Sequence, residues 1–141
     1  MLKVSFDNEI KIRGYHADFY GHVNNARYLE FFEEARWTGL ESKVDLIAWS
    51  KKGLGFLVVN ININYRKAVP VGETLLISTE LVEVGNRSAV LRQEAVFKES
   101  RKVAADCLVT FVIIDKTGRA VEITGDIKKD LEKLEVSAQP A

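Results

Sequence analysis

Asn24-Asn25-Ala26-Arg27-Tyr28-Leu29-Glu30-Phe31-Phe32-Glu33-Glu34-Ala35-Arg36-Trp37-Thr38-Gly39-Leu40-Glu41 carries the strongest helical pattern in the chain. At about 100° per residue, Tyr28, Phe31, Phe32, Ala35 and Gly39 share an arc with Leu29 and Leu40. Glu30, Glu33, Glu34 and Arg27 fall largely on the other side. The apolar arc is near half the circumference, which predicts one major helix over 24–41 with a well-buried face. Asn24 is placed to cap it, because its side-chain oxygen can accept from first-turn amides. Arg36 falls inside the apolar arc, where it is expected to snorkel or to pair with an acid.

Before this helix, residues 9–13 alternate as Glu-Ile-Lys-Ile-Arg, a short half-buried strand that Gly14 ends. After it, Val44, Leu46, Ile47 and Trp49 suggest a short helix or packed loop, punctuated by Gly53 and Gly55. Four strand-like runs follow. In 56–66, Leu57, Val59, Ile61, Ile63 and Tyr65 alternate with Asn60, Asn62, Asn64 and Arg66. Pro70-Val71-Gly72 turns the chain into a second run over 73–84, which Gly85-Asn86 ends. A third covers 87–98, and Glu99-Ser100-Arg101 closes it. The last, 102–115, keeps Val103, Ala105, Cys107, Val109, Phe111 and Ile113 on one face before the Asp115-Lys116-Thr117-Gly118 turn.

Short connections imply antiparallel pairing of consecutive strands. Strands this long twist and coil enough to wrap around one apolar helix. The expected fold class is therefore α+β, a layer of antiparallel sheet covered by a helix. Ile127, Leu131 and Leu134 predict a C-terminal helix over 126–135, followed by a frayed tail over 136–141. The whole of 1–141 reads as a single domain.

Charge and composition remove several classes of function. Lys+Arg and Asp+Glu both number 20, so the chain lacks the overall basic footprint of a nucleic-acid binder. The single cysteine, Cys107, cannot form an internal disulfide and reads as a buried structural thiol. No Cys/His cluster has metal-ligand spacing, so no metal is expected. There is no P-loop, no Gly-x-Gly-x-x-Gly and no Gly-x-Ser-x-Gly elbow. No signal peptide and no bilayer-spanning run is visible, which gives a cytoplasmic, non-membrane expectation.

The segment just before the helix concentrates chemistry. Tyr15-His16-Ala17-Asp18-Phe19-Tyr20-Gly21-His22-Val23-Asn24-Asn25-Ala26-Arg27-Tyr28 contains both histidines of the chain, an aspartate and two asparagines. A helix N-terminus presents unpaired amides and partial positive charge. A carboxylate beside such amides can attack a carbonyl or activate water while the amides hold the oxyanion.

Asp18-x-x-Gly21-His22-Val23-Asn24-Asn25-x-x-Tyr28 resembles the 4-hydroxybenzoyl-CoA thioesterase-like branch of the hot-dog superfamily. The His-Val-Asn-Asn run is also similar to fatty acyl-ACP thioesterases. Phe31 to Arg36 resembles the family's aromatic-rich central helix, and 65–73 its second strand and Pro-x-Gly-acid turn. With 104–115 resembling the last strand, the likeness covers about residues 8–120.

The resemblance implies a long antiparallel sheet wrapped around one central helix. It implies hydrolysis of an acyl-CoA or acyl-ACP thioester without a cofactor. Asp18 matches the catalytic acid, as nucleophile or general base, and the Asn25 amide matches the group that polarises the carbonyl. Substrate contacts are expected from Tyr15, Gly21, His22, Val23, Asn24 and Tyr28, from Phe56 along the acyl chain, and from Arg66 and Lys67. Arg87, Lys98, Arg101 and Lys102 are further candidates for CoA phosphates. His16 reads as an exposed strand-end residue. The resemblance also implies a homodimer or homotetramer joined at sheet edges. Two other readings share this fold: a non-catalytic acyl-thioester-binding module, and an enoyl-CoA hydratase or dehydratase.

Overall fold

The computed structural model describes residues 5–134. In chain order the elements are β1 (Asn8–Lys11), α1 (Asn25–Lys43), α2 (Leu46–Lys51), β2 (Gly55–Tyr65), β3 (Thr74–Val84), β4 (Ser88–Phe97), β5 (Val103–Ile114) and α3 (Gly125–Glu132). A 3₁₀ turn over Gly14–His16 joins β1 to the pre-helical loop. Of the C-terminal reading, residues 135–141 lie outside the described residues.

The five strands form one antiparallel sheet in the order β1-β3-β4-β5-β2. Its concave face holds α1, whose Tyr28, Phe31, Phe32, Ala35, Gly39 and Leu40 are all buried. They meet Leu75, Ile77, Leu91, Ala95, Cys107, Val109 and Phe111 from the sheet. Each large side chain so buried contributes about 1.5–3 kcal/mol. This is the hot-dog arrangement that the resemblance implies. Leu29, assigned to the apolar arc, is instead 44% exposed at its margin. Ile47 likewise points outward from α2, while Trp49 is buried and stacks on Phe56 at 4.7 Å.

Two expectations about the sheet need correction. Consecutive strands do not all pair: β2 runs beside β5, not β3. The chain leaves β2 through residues 66–73, which cross the end of the sheet. There the Arg66 and Lys67 amides both donate to the Ala104 carbonyl, and the Gly72 amide donates to Ile12. Nor does β2 keep one alternation. Its register against β5 slips between Val58 and Asn60, so Val59 is the extra residue of a β-bulge. Before the bulge Phe56 and Val58 pair with the inward-facing Ile113 and Phe111; after it Ile61, Ile63 and Tyr65 pair with Val109, Cys107 and Ala105. Leu57 and Val59 therefore belong to the outer side and are exposed. Further irregularities interrupt β3 near Val82 and the β4–β5 register near Val96, and each strengthens the curl.

One polar group ties helix to sheet inside this core. Gln93 on β4 is fully buried. Its Nε2 donates to the Phe32 carbonyl and to Thr79 Oγ1, both at 2.9 Å, and its Oε1 accepts from Arg36 at 3.2 Å. Cys107 is buried as expected, and burial pushes its thiol up to about 12. Replacing Gln93 by Leu strands the buried Phe32 carbonyl and removes the partner of the half-buried Arg36 and Thr79. Gln93→Leu is expected to lower stability by about 2–3 kcal/mol in urea denaturation; a change below about 0.5 kcal/mol would mean the bridge is not structural.

Candidate active site

The N-terminus of α1 is fixed from three directions. The Val23 amide donates to the Val69 carbonyl at 2.9 Å, tying it to the crossing segment. The Asn24 amide donates to the His16 carbonyl at 2.9 Å. The Asn24 side chain accepts from the Ala26 amide at 3.0 Å, which is the expected cap. The Asn25 amide, next in line, has no protein acceptor among the described residues. It is an open donor at the positive end of a 19-residue helix.

Asp18 sits in a tight turn beside it. Its amide donates to the His22 carbonyl at 2.8 Å, and Gly21 at φ +81° lets the chain double back. The carboxylate Oδ1 accepts from the Tyr20 amide at 2.9 Å and the His22 amide at 3.3 Å. Oδ2 has no protein donor among the described residues, so one oxygen is anchored and the other is available.

Asp18 and Asn25 line the same cavity, of about 270 Å³. His22, Val23, Tyr28, Arg66 and Lys67 line it too, as expected from the sequence. Tyr65, Ala68 and Val69 complete the wall. Tyr65 donates its hydroxyl to the Asn25 carbonyl at 3.2 Å, and its ring lies 5.5 Å from that of Tyr28. Tyr28 is pushed up to about 12, chiefly by burial and then by Tyr65. The sequence signal for Tyr65 is its place as the last inward residue of β2, directly before Arg66-Lys67.

Several expected contacts lie elsewhere. Phe56 belongs to a second cavity farther along α1. Tyr15 is exposed and faces the Arg27 guanidinium, 5.9 Å from its ring centroid. Asn24 and Gly21 shape the turn and cap without lining the cavity. Arg66 is already engaged by Asp106, which accepts from its Nε at 2.9 Å and from its terminal nitrogen at 3.3 Å. Of the remaining cationic candidates, Lys98 pairs with Glu9, Arg87 with Glu122, and Arg101 lies over Phe6. None of these, nor Lys102, lines the Asp18 cavity. Among the described residues no group of three or more His, Cys, Asp or Glu converges as metal ligands. No described helix is long and apolar enough to cross a membrane.

A curled sheet around one helix, with a carboxylate turn beside the helix N-terminus, defines the class: a thioesterase of the hot-dog fold. The chain belongs to the Thioesterase-like superfamily, whose family model matches residues 13–131. It is 46% identical over 128 residues to the long-chain acyl-CoA thioesterase FadM of Escherichia coli strain K12, a match that covers 89% of this chain and 96% of that one. Among crystal structures it superposes on YbaW, a probable thioesterase from Escherichia coli, with TM-score 0.87 and 43% identity over 94% of this chain and all of the other. The PA5185 protein of Pseudomonas aeruginosa strain PAO1 follows at TM-score 0.76 and 26% identity, covering 93% and 92%.

His16 is the other correction. It is buried rather than exposed. Its Nδ1 accepts from the Arg13 amide at 2.8 Å and its ring packs edge-on against Phe31 at 5.3 Å. Burial first, then the nearby Arg27, holds its imidazole below the ordinary value of 6.5. The folded state therefore binds fewer protons than the unfolded state as pH falls through 6.5. The stability it contributes is complete above that value and is lost below it. Between about pH 7.5 and about pH 5.5 the urea midpoint is expected to fall, and His16→Gln to flatten most of that slope. An unchanged slope in the variant would clear His16 of this role.

Proposed function

We propose that the chain hydrolyses acyl-CoA thioesters, with Asp18 and the Asn25 amide acting on the same carbonyl group. The observation that carries this reading is the shared cavity, which is lined both by a carboxylate with one anchored and one free oxygen and by the residue whose helix-terminal amide is unpaired. The carbonyl oxygen accepts from the Asn25 N–H. As charge develops there, the amide and the helix dipole stabilise it, and one such donor typically lowers a barrier by about 3 kcal/mol.

Asp18 then works in one of two ways. As general base it takes a proton from water, whose oxygen bonds to the carbonyl carbon. As nucleophile its free oxygen bonds to that carbon directly and gives an anhydride that water opens. In both routes the carbon–sulfur bond breaks, the thiolate leaves, and it is protonated to the free thiol. Neither route requires a cofactor. Tyr65 acts as a positioning residue, because its bond to the Asn25 carbonyl braces the first turn of α1. Lys67 and Arg66 line the same cavity, and because Arg66 is held by Asp106, Lys67 is the proposed contact for a CoA phosphate.

Asp18→Asn keeps the turn's hydrogen-bond acceptor but removes the base and nucleophile. Assayed with a panel of acyl-CoAs and a thiol reagent, it is expected to lose at least about 100-fold in kcat while its urea midpoint stays near wild type. Retention of most of the wild-type rate, or acyl-CoA binding by the wild-type protein with no thiol release, would contradict the proposal. Acyl-ACP esters in the same panel decide whether a carrier protein also serves.

We further infer that copies of the chain join along β2. This 11-residue strand ends the sheet, and no strand among the described residues pairs with its outer side. Such an edge is a template for another strand. Sedimentation is expected to give a dimer or tetramer; a stable active monomer would rule the edge pairing out.

A further inference from the structure

A second cavity, of about 250 Å³, lies between the C-terminal half of α1 and the first half of β2. Its walls are mostly apolar, built from Trp37 and Leu40 on α1, Phe56, Val58 and Ile61 on β2, and Val109 behind them, with Glu33 and Arg36 as the charged residues of the lining. It lies along the same helix–strand seam as the Asp18 cavity, which uses Asn25 and Tyr28 of α1 and Tyr65 of β2. Phe32 and Ile63 come between the two in sequence along the seam. From the helical rise, Arg36 stands roughly 17 Å beyond Asn25, so an acyl chain lying along α1 reaches it only when long.

Arg36 is the anomaly in this cavity. It is half-buried, yet it takes part in none of the ion pairs formed among the described residues. One of its five donors goes to Gln93 Oε1. Gln93 is itself saturated and gives no negative charge in return. The nearest acid on the helix, Glu33, accepts from the Trp37 indole at 3.3 Å. Arginine does not discharge by losing its proton, so its guanidinium stays a cation in the cavity lining, with Glu33 as the acid that shares the cavity. Burial holds its guanidinium below the ordinary range. A mostly apolar cavity with guanidinium donors in its lining suits a chain that is hydrocarbon along its length and carries an oxygen where it meets Arg36.

We propose that Arg36 is a specificity-determining residue: the cavity takes the far part of a long acyl chain, and the guanidinium donates to a hydroxyl or carboxylate oxygen on it. This rests on the thioesterase reading above. The preferred substrates are then ω-oxygenated long-chain acyl thioesters rather than plain ones of equal length.

The test compares CoA esters of ω-hydroxytetradecanoic and tetradecanedioic acid with tetradecanoyl-CoA, using butanoyl-CoA as a chain too short to reach Arg36. Wild-type kcat/KM is expected to favour at least one oxygenated ester by about tenfold, mostly through KM. Arg36→Met is expected to abolish that preference. Val58→Trp, which fills the cavity mouth from a partly exposed position, provides the same loss should Arg36→Met not fold. Binding is read independently on the Asp18→Asn protein through the emission of Trp37, which lines the cavity and is half-exposed. Equal kcat/KM for oxygenated and plain long-chain esters, with butanoyl-CoA hydrolysed, would overturn the Arg36 assignment alone. No hydrolysis of any ester would overturn the thioesterase reading itself.

Discussion

Burial of the Tyr28–Phe31–Phe32–Ala35–Leu40 face of α1 against the concave sheet is the contact on which the other features depend. A helix with so wide an apolar arc needs a surface that curves around it, and a flat sheet would leave its flanks wet. Long strands with bulges at Val59 and near Val82 and Val96 supply that curvature. Once the helix is docked, its direction is set, and so is the place where its unpaired amides emerge. That place is the end of the sheet crossed by residues 66–73.

The site follows from this crossing. Because β2 and β3 are not neighbours, the chain between them has to pass the N-terminus of α1. It does so with its backbone bonded to Val23 and to Ala104. Arg66, Lys67, Ala68 and Val69 thereby become a wall facing Asp18. The loop of residues 14–23 forms the other wall, anchored through His16 on one side and the Asp18–His22 turn on the other. The geometry of the proposed site is a by-product of rigid neighbours: a capped helix, a strand end and a turn closed by its own carboxylate. The same docking leaves β2 standing off from the helix along a seam, and that seam holds both cavities.

Much of this was legible in the residues. Helical period and cap chemistry located α1 to within two residues at its far end, since Asn24 does cap it. From Ala105 to Ile113 the alternation of β5 survives because that strand is interior, but the register against β4 slips at Ala104, which is buried beside Ala105, so Val103 leaves the face that the alternation gives it. The alternation over 56–66 misled for a physical reason: a bulge adds one residue without altering composition, so Leu57 and Val59 look equivalent to Ile61 until pairing partners are known. Strand order was equally hidden, because an eight-residue connection can close a hairpin or cross a sheet end. The Asp18 turn and the Asn25 amide were visible as a motif. Tyr65 and the Gln93–Arg36 bridge were not, because each joins residues far apart in sequence through a single side-chain bond. The burial of His16 is hidden in the sequence because a lone histidine at a strand end gives no sign of the Arg13 amide that turns back to meet it.

The proposed reaction requires one carbonyl group to be held by the start of α1 and reached by Asp18 at the same time. A crystal structure of the protein with a non-hydrolysable acyl-CoA, in which a ketone replaces the thioester, tests it most directly. The ketone oxygen is expected about 3 Å from the Asn25 nitrogen, with the free Asp18 oxygen facing the ketone carbon. A ketone bound with its oxygen turned away from α1, or with Asp18 on no path to the carbon, would contradict it.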